Sequence, residues 1–530
     1  MLTYFVIVLS IAFYHLRKTE ENYTDYFLAG RSMGWAMIGI SIFATNISSE
    51  HFIGLAGAGA SRGLAVGQFE LMAILLLIFL GWIFAPVYLK SGVMTVPEFL
   101  ELRFDRKLRK IYAGMSVGIY LFTKILVSLF AAGLLFNSIF GLNIYTSSII
   151  IVLITGLYCV IGGSVAVMRT QVFQGVLLIA AAVTLSLFGL NAVGGYEGLK
   201  QKLPAEFFNL FKPASDPDYP WTGIIFGAPI IAFWYWCTDQ YIVQRVLSAR
   251  SVNDARRGTI LAAFLKVLPI FILVIPGLIA AVLYPNISGD EAYSALIAGN
   301  LLPAGVKGIV VAGLLAAIMS SLAGAFNSTA AIYTNDFYKI KNPGSSQRKL
   351  VLVGRLSTIA IVVLTIFMVP LVRLLTAQVY LFLQSIQAFI SPPIVAVFLF
   401  ALFSKKVNSR NAIIALVVGE TIGFFRLALE LLKNIGTELH PVLMSIASIN
   451  FLHFAIFIFI ISIGIIFILD LATLPSKINF SIQTNMIIAE SIRDVRRSLS
   501  GIRNSKGVFL NFMLSAFIVV IIISLWSIWF

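Results

Sequence analysis

Long apolar runs recur from one end of this 530-residue chain to the other. A run of about 18 or more apolar residues can cross the hydrocarbon core of a bilayer as a helix. Inside lipid the backbone must satisfy its own hydrogen bonds, so we expect these runs to be helical. They lie at residues 2–16, 34–60, 67–92, 109–138, 145–162, 168–193, 222–247, 253–284, 305–337, 347–372, 377–403, 410–432, 448–471 and 508–529. The sequence therefore predicts an all-α membrane protein with about fourteen transmembrane helices.

Composition agrees with a membrane protein and argues against a soluble domain or a nucleic-acid-binding protein. Hydrophobic residues make up 59% of the chain and charged residues only 12%, whereas soluble domains average about 25% charged residues. The net charge of +15 could suggest nucleic-acid binding, but cytoplasmic loops rich in Lys and Arg explain it better. The two cysteines, Cys159 and Cys237, both lie inside apolar runs and form no disulfide framework or zinc cluster by spacing.

Loop charge predicts the orientation of the chain in a plasma (cell inner) membrane. The alternate loops that begin after the first run carry most of the loop Lys and Arg, which predicts that both termini lie outside. The short first run could also be a cleaved signal peptide, but no small-residue cleavage site follows it, so we favour a span. A basic stretch at 487–503 could lie on the anionic inner leaflet or form a solvated linker helix.

Two of the apolar runs are interrupted by polar residues. One is broken at residues 45–51, which include a Glu and a His, and the other at 234–240. Irregular backbone at membrane depth persists only where it lines a cavity or packs against protein. Two broken helices in corresponding positions are typical of inverted repeats with a binding site at the membrane midplane. The predicted arrangement is one transmembrane domain over 1–530, with a first repeat at 34–193, a second at 222–403 and additional C-terminal helices at 404–530.

One helix face carries candidate ligands for a hard cation. Ala317, Ser320 and Ser321 stand at positions i, i+3 and i+4 and therefore share a face. Hydroxyl and carbonyl oxygens suit hard cations, and unwound carbonyls near Ala44 and Ile47 could complete a sodium site. The alternative is that both serine hydroxyls bond back to carbonyls of their own helix.

Polar residues that are costly in lipid mark a candidate solute site. A sugar needs donors and acceptors for its hydroxyls and flat apolar surfaces for its ring. Glu70 and Lys266 could also form a purely structural buried pair. The side chains of the predicted site are Asn46, His51, Glu70, Lys266 and Gln384 for the polar contacts, and Tyr235 and Trp236 for the ring.

Six segments of the sequence carry a family pattern. They are DYFLAGRS at 25–32, ATNISSEHFIGLAG at 44–57, VPEFLELRF at 96–104, WYWCTDQYIVQR at 234–245, AIMSS at 317–321 and SPPIVAVF at 391–398. These segments resemble the sodium/solute symporter family, and most closely its sodium/glucose cotransporter branch. The resemblance spans about residues 20–430 and weakens beyond.

The resemblance implies a leucine-transporter-like core that works by alternating access, with Na⁺ as the coupling ion. It places the five candidate cation ligands on the family's sodium site and the polar cluster on its sugar contacts. It also gives Tyr235 the role of an aromatic residue that stacks on the sugar and gates it. Three positions depart from the pattern: Ala73 and Ala232 replace polar contacts, and Gln171 stands where an Asp linked to cation coupling is usual.

The expected function is therefore sodium-driven symport of a small polar solute across the bilayer, with a monosaccharide such as glucose or galactose as the expected solute. A relative that carries myo-inositol, a carboxylate or an amino acid is one alternative, although the polar cluster has no free Arg for a carboxylate. A membrane sensor or channel that binds sugar is another. No catalytic triad, phosphate-binding Gly loop or metal cluster is visible, so we do not expect an enzyme, and His51 lacks the partners of a catalytic base.

Overall fold

A computed structural model describes residues 2–14, 22–287, 289–370, 379–404, 407–472 and 506–529, together with single positions 490, 493, 496 and 500. Apart from those four positions, the basic stretch at 487–503 lies outside the described residues. The described chain is helical and contains no strand, and two isolated bridges join Met33 to Ala249 and Lys212 to Pro220. Within this part of the chain, 11 helices are long and apolar enough to cross a membrane.

Helices and short turns follow one another along the chain. The α-helices are Leu2–Tyr14, Tyr23–Leu28, Trp35–Asn46, Ala56–Arg62, Gln68–Phe79, Ala85–Ser91, Val96–Arg103, Arg106–Ile119, Leu126–Phe140, Ile144–Val193, Gly195–Lys202, Trp221–Phe226, Ala228–Phe233, Gln240–Leu247, Val252–Leu265, Ile275–Leu283, Ala292–Ala298, Ala304–Ile332, Lys339–Lys341, Gln347–Met368, Val379–Phe403, Ser409–Asn434, Pro441–Ser448, Phe451–Ala472 and Lys506–Ile528. The π-helical segments are His51–Leu55, Leu80–Phe84, Tyr120–Ile125, Trp234–Thr238, Ile270–Val274 and Tyr333–Tyr338. The 3₁₀ segments are Ala29–Arg31, Gly63–Gly67, Ala205–Phe208 and Gly289–Glu291.

Both predicted interruptions are present. The helix Trp35–Asn46 ends where Ile47 becomes extended, with ψ of 104°, and the chain becomes helical again through a π-helical turn at His51–Leu55. The second break follows the π-helical turn Trp234–Thr238, where Asp239 is extended with ψ of 121°. Each break releases backbone groups from the helical ladder, which makes them available to side chains and ligands.

The 50-residue helical stretch Ile144–Val193 bends back on itself at Gly163. That residue has φ of 52° and ψ of −152°, a conformation that glycine adopts without steric cost. Tyr158 donates to the carbonyl of Met319, and Gln171 donates to the carbonyl of Ser320. In a straight helix, Tyr158 and Gln171 would lie about 20 Å apart, so contacts with adjacent residues require a hairpin. Its two arms correspond to the separate runs predicted at 145–162 and 168–193.

One helix lies at the centre of the bundle. Ala304–Ile332 is buried without interruption from Val310 to its end, and its principal neighbour is the hairpin 144–193. Gly313 permits this close approach, because an added Cβ at that position would lie 2.3 Å from the Cβ of Ala181. The central helix carries Ser320 and Ser321, so the packing fixes the depth of these hydroxyls in the bundle.

Candidate sodium and solute sites

The candidate cation ligands converge where the central helix meets the first break. The hydroxyl of Ser320 lies 2.7 Å from the carbonyl of Ala44 and 2.9 Å from that of Ala317, and the hydroxyl of Ser321 lies 3.0 Å from the carbonyl of Thr45. All of these residues are buried, as is Ile47 at the break. Ser320 therefore bonds both to its own helix and across to the broken helix, whereas Ser321 bonds across to the broken helix. Thr45 was missed because backbone ligands leave no side-chain signal.

Two further side chains brace this cluster. Tyr241 lies just after the second break, and its hydroxyl lies 2.6 Å from the carbonyl of Thr45 and 3.3 Å from that of Ser321. The amide of Gln171 donates to the Ser320 carbonyl at 2.9 Å and accepts from the Ser41 hydroxyl at 2.5 Å. Gln171 therefore spans the broken helix and the central helix with a neutral amide group. The candidate cation site offers hydroxyl and carbonyl oxygens. The described residues include no group of three or more His, Cys, Asp or Glu side chains that could hold a metal ion.

A cavity of about 50 Å³ lies beside this cluster. It is lined by six of the predicted solute residues, namely Asn46, His51, Glu70, Tyr235, Trp236 and Gln384, all of which are buried. Its volume holds only a few water molecules, and a hexose is larger than that. Solute binding therefore requires the lining side chains to move apart.

The seventh predicted residue, Lys266, lies behind the cavity wall. Its ammonium group donates to the side-chain oxygen of Asn46 at 2.7 Å and forms an ion pair with Glu70. The other carboxylate oxygen of Glu70 lies 3.8 Å from His51, and the amide of Asn46 donates to the Tyr235 hydroxyl at 3.0 Å. The predicted buried pair exists, and it belongs to a continuous polar network along the cavity.

Sequence reasoning missed several lining residues. Phe69, Ile231, Tyr380 and Leu383 look like ordinary apolar or aromatic membrane residues, and Glu50 and Gln387 were not singled out, yet all six line the cavity. Tyr380 stands one helical turn before Gln384 and accepts a hydrogen bond from its amide at 3.1 Å, so helical spacing from Gln384 was the available signal. Ala73 and Ala232 also line the cavity, where they supply apolar surface rather than polar contacts.

An aromatic layer covers one end of the cavity. The ring of Phe69 lies 6.2 Å from that of Tyr219, 6.1 Å from that of Tyr380 and 6.4 Å from that of Phe451, measured between centroids. Beyond it, Arg62 and Asp218 form an ion pair at 2.6 Å. Burial raises the pKa of Asp218 above its ordinary value, and the guanidinium group of Arg62 opposes that shift. Solute passing this end must displace the aromatic layer.

Hydrogen bonds and ion pairs close the opposite end. Tyr235 lies over Lys124, whose ammonium group is 3.8 Å from the ring centroid. Farther out, Asp336 at the end of the central helix accepts from Arg109 at 2.7 Å and from Thr95 at 2.8 Å. Arg109 also pairs with Glu101 at 2.6 Å. This end is held by a buried charge cluster, which we call the Asp336 cluster (Thr95, Glu101, Arg109 and Asp336).

Comparison with known proteins agrees with this geometry. Residues 26–419 match the profile of the sodium:solute symporter family. This chain belongs to that family. It is a sodium-coupled membrane transporter rather than an enzyme.

Individual relatives cover most of the chain. Sodium/glucose cotransporter 1 of Mus musculus is 37% identical over 89% of this chain and 78% of its own length. The sodium/glucose cotransporter 4 of Danio rerio is 37% identical over 90% and 78%, and the sodium/myo-inositol cotransporter of Homo sapiens is 38% identical over 80% and 66%. The symporter is thus similarly close to relatives named for glucose and to a relative named for myo-inositol.

Solved structures share the fold. A Na⁺-coupled sialic acid symporter in a substrate-bound outward-open state matches with a TM-score of 0.75 at 21% identity, covering 90% of this chain and 98% of that one. A nucleobase-cation-symport-1 family transporter in a closed conformation matches with a TM-score of 0.53 at 14% identity, covering 88% and 95%. The broken-helix bundle of this symporter is therefore an established transporter fold.

Tyr235→Phe is expected to raise the half-saturating solute concentration about two- to tenfold. The substitution keeps the ring but removes the hydroxyl that accepts from Asn46, and one such hydrogen bond contributes about 0.5–1.5 kcal/mol. Uptake at a series of solute concentrations measures the effect. An unchanged half-saturating concentration would show that the Asn46–Tyr235 bond plays no part in solute binding.

Proposed function

We propose that this symporter carries a neutral, polyhydroxylated solute, most specifically a monosaccharide such as glucose or galactose, together with Na⁺. The solute contacts would be Asn46, His51, Glu70, Tyr235, Trp236 and Gln384, with Lys266 holding Asn46 and Glu70 in place, and the sodium ligands would be Ala44, Ile47, Ala317, Ser320 and Ser321. One observation carries this proposal. The first break provides carbonyls to the serine cluster and, through Asn46 and His51, side chains to the cavity.

Sharing one broken segment couples the two sites. Sodium held by the carbonyls of Ala44 and Ile47 would fix the backbone on both sides of Asn46, whose side chain bonds to Tyr235 and Lys266. Coupling requires that the ion bind one conformation better than another. Sodium binding would order the solute contacts in the outward-facing state, and release of sodium to the inside would loosen them.

The driving force is sufficient for accumulation. One charge crossing 100 mV supplies about 2.3 kcal/mol, and a tenfold sodium gradient adds about 1.4 kcal/mol. Their sum corresponds to a solute gradient of several hundredfold under ideal coupling with one sodium ion.

The proposed topology has fourteen spans with both termini outside the plasma membrane. The supports are the loop charge bias, the bend at Gly163 that divides one long stretch into two arms, and the breaks near Ile47 and Asp239. The two breaks occur in the first helix of each proposed repeat, 34–193 and 222–403. Under this orientation, the aromatic layer faces outward and the Asp336 cluster faces the cytoplasm.

Uptake into proteoliposomes tests the proposal. Purified protein would be given radiolabelled galactose, glucose or myo-inositol with an inward sodium gradient or with potassium. We expect sodium-dependent accumulation of galactose or glucose above the outside level, reduced at least tenfold in Gln384→Ala. Thr365→Val is the matched control, because that buried hydroxyl donates to Ile361 in its own helix and belongs neither to the cavity lining nor to the serine cluster.

Each other outcome has a distinct meaning. Accumulation of myo-inositol alone would move the assignment to the inositol-carrying relatives. Accumulation without sodium dependence would indicate another coupling ion and direct attention to Gln171. Sugar binding without accumulation would favour a sensor or channel, and no response to any of the three solutes would contradict the sugar assignment.

Asp336→Asn is expected to open the cytoplasmic end more often. The substitution weakens the ionic hydrogen bond from Arg109, which is worth about 1.5–3 kcal/mol.

The reactivity of Cys237 measures this opening. Cys237 is buried in the turn that contains Tyr235, and buried thiols are inert. In a Cys159→Ala background, N-ethylmaleimide should label Cys237 about tenfold faster in Asp336→Asn. Glu197→Gln alters an exposed ion pair with Lys200 and should leave the labelling rate unchanged. Equal labelling rates in Asp336→Asn and Glu197→Gln would contradict the proposal that the Asp336 cluster closes the cytoplasmic end.

A further inference from the structure

A lateral groove of about 490 Å³ lies on the outside of the bundle, away from the cavity. Its lining is almost entirely apolar. The surface is formed by Val117 on the helix Arg106–Ile119, by Thr329 and Tyr333 near the end of the central helix, and by Leu356 and Ala360 on the helix Gln347–Met368. Tyr333 is 47% exposed and Leu356 is 55% exposed, so both present ring and aliphatic surface to the bilayer.

The groove has a basic end. Helices Arg106–Ile119 and Gln347–Met368 both begin at the end of the bundle that carries the Asp336 cluster. Lys110 lies seven residues before Val117, and Lys349 lies seven residues before Leu356, so each lysine continues the groove face of its helix by two turns. Both lysines are exposed, and neither forms a salt bridge with any residue that the structure describes.

Nearby carboxylates do not neutralise these lysines. Glu101 pairs with Arg106 and Arg109, and Asp336 pairs with Arg109. Glu98 accepts from the backbone of Met94 and from the side chain of Asn335. The acidic groups are thus engaged within the Asp336 cluster and its surroundings. Two lysines that form no salt bridge within the described part of the chain therefore lie on the groove faces of their helices, beyond the residues that line the apolar groove.

We infer that this groove binds an anionic phospholipid of the leaflet that contacts this end. One acyl chain lies along Val117, Tyr333 and Leu356, and the phosphate group lies between Lys110 and Lys349. Basic sites between membrane helices attract anionic headgroups in this way. The lipid would contact the central helix between the serines of the proposed sodium site and Asp336. Lipid binding at this groove is distinct from the transport of solute and sodium.

Native mass spectrometry of the full-length protein with added phosphatidylglycerol or phosphatidylcholine tests this inference. The wild type should retain phosphatidylglycerol in preference to phosphatidylcholine. Lys110→Gln/Lys349→Gln should weaken phosphatidylglycerol binding roughly thirtyfold, from the attraction of two lysines to an anionic headgroup. Ala360→Trp, which fills the groove without changing charge, should also weaken it.

Two controls separate the site from general attraction to charge. Lys200→Gln/Lys202→Gln removes the same amount of charge from the helix Gly195–Lys202. Lys107→Gln removes a charge from the helix that carries Lys110, but away from the groove face. Both should bind phosphatidylglycerol like the wild type. Equal binding of the two lipids, or an unaffected Lys110→Gln/Lys349→Gln variant, would overturn the inference. Equal weakening in the control variants would also overturn it, since the attraction would then be non-specific.

Discussion

Replacing Ser321 with alanine is expected to raise the sodium concentration that half-saturates uptake by about ten- to a hundredfold. The Ser321 hydroxyl lies beside the carbonyl of Thr45, and the alanine removes one oxygen from the proposed ion site. Hydrogen bonds to charged groups contribute about 1.5–3 kcal/mol, and we take a similar value for one ligating hydroxyl. Initial uptake at saturating solute, titrated with sodium at constant ionic strength, measures the change.

The same titration in Thr365→Val serves as the control, because that substitution also removes a buried hydroxyl but leaves the cluster intact. If Ser321→Ala has the wild-type sodium dependence, the serine hydroxyls serve only to join the central helix to the broken helix. Their bonds to Ala317 and Thr45 would then be a packing feature, and the sodium site would lie elsewhere.

Lys266→Met is expected to abolish uptake and to destabilise the protein by about 3–5 kcal/mol. The substitution leaves the buried carboxylate of Glu70 without its partner, and an unpaired buried charge carries a cost of that size. It also removes the donor to Asn46, so the cavity network loses two connections. Thermal unfolding of the purified protein, followed alongside uptake, measures both effects.

The double variant Glu70→Gln/Lys266→Met distinguishes binding from structure. Removing both charges eliminates the unpaired carboxylate, so we expect the stability to recover most of the loss. Uptake should remain absent, because the carboxylate acceptor for solute hydroxyls is also gone. Recovery of uptake together with stability would establish that Glu70 and Lys266 are only a structural pair.

Much of the architecture was predictable because membrane insertion imposes strong rules on sequence. Apolar runs located the helices, and polar residues inside two of them located both breaks. The breaks involve Ile47 and Asp239, which stand in segments too polar for a continuous membrane helix. Polar residues in lipid are costly, so Asn46, Glu70 and Gln384 were conspicuous. The structure brings these three side chains to one cavity.

The remaining features depend on packing that periodicity does not encode. Phe69 and Tyr380 line the cavity, but an aromatic residue in an apolar helix has no distinguishing pattern. Lys266 was predicted to bind solute, and in this structure it bonds to Asn46 and Glu70 and is not one of the cavity-lining residues. Thr45 contributes a carbonyl, and any residue type could do so. These details require the three-dimensional contacts.

The hairpin that turns at Gly163 makes the midpoint of the central helix a pivot point about which the helix can tilt. Its two arms hold the carbonyls of Met319 and Ser320, so the helix is anchored beside the proposed ion. Asp336 lies sixteen residues from Ser320, which is about 24 Å along a helix. A tilt of about 10° about this anchor would displace Asp336 by about 4 Å, given that lever arm. Such a tilt would let a small rearrangement of oxygens around one ion separate the ion pairs of the Asp336 cluster.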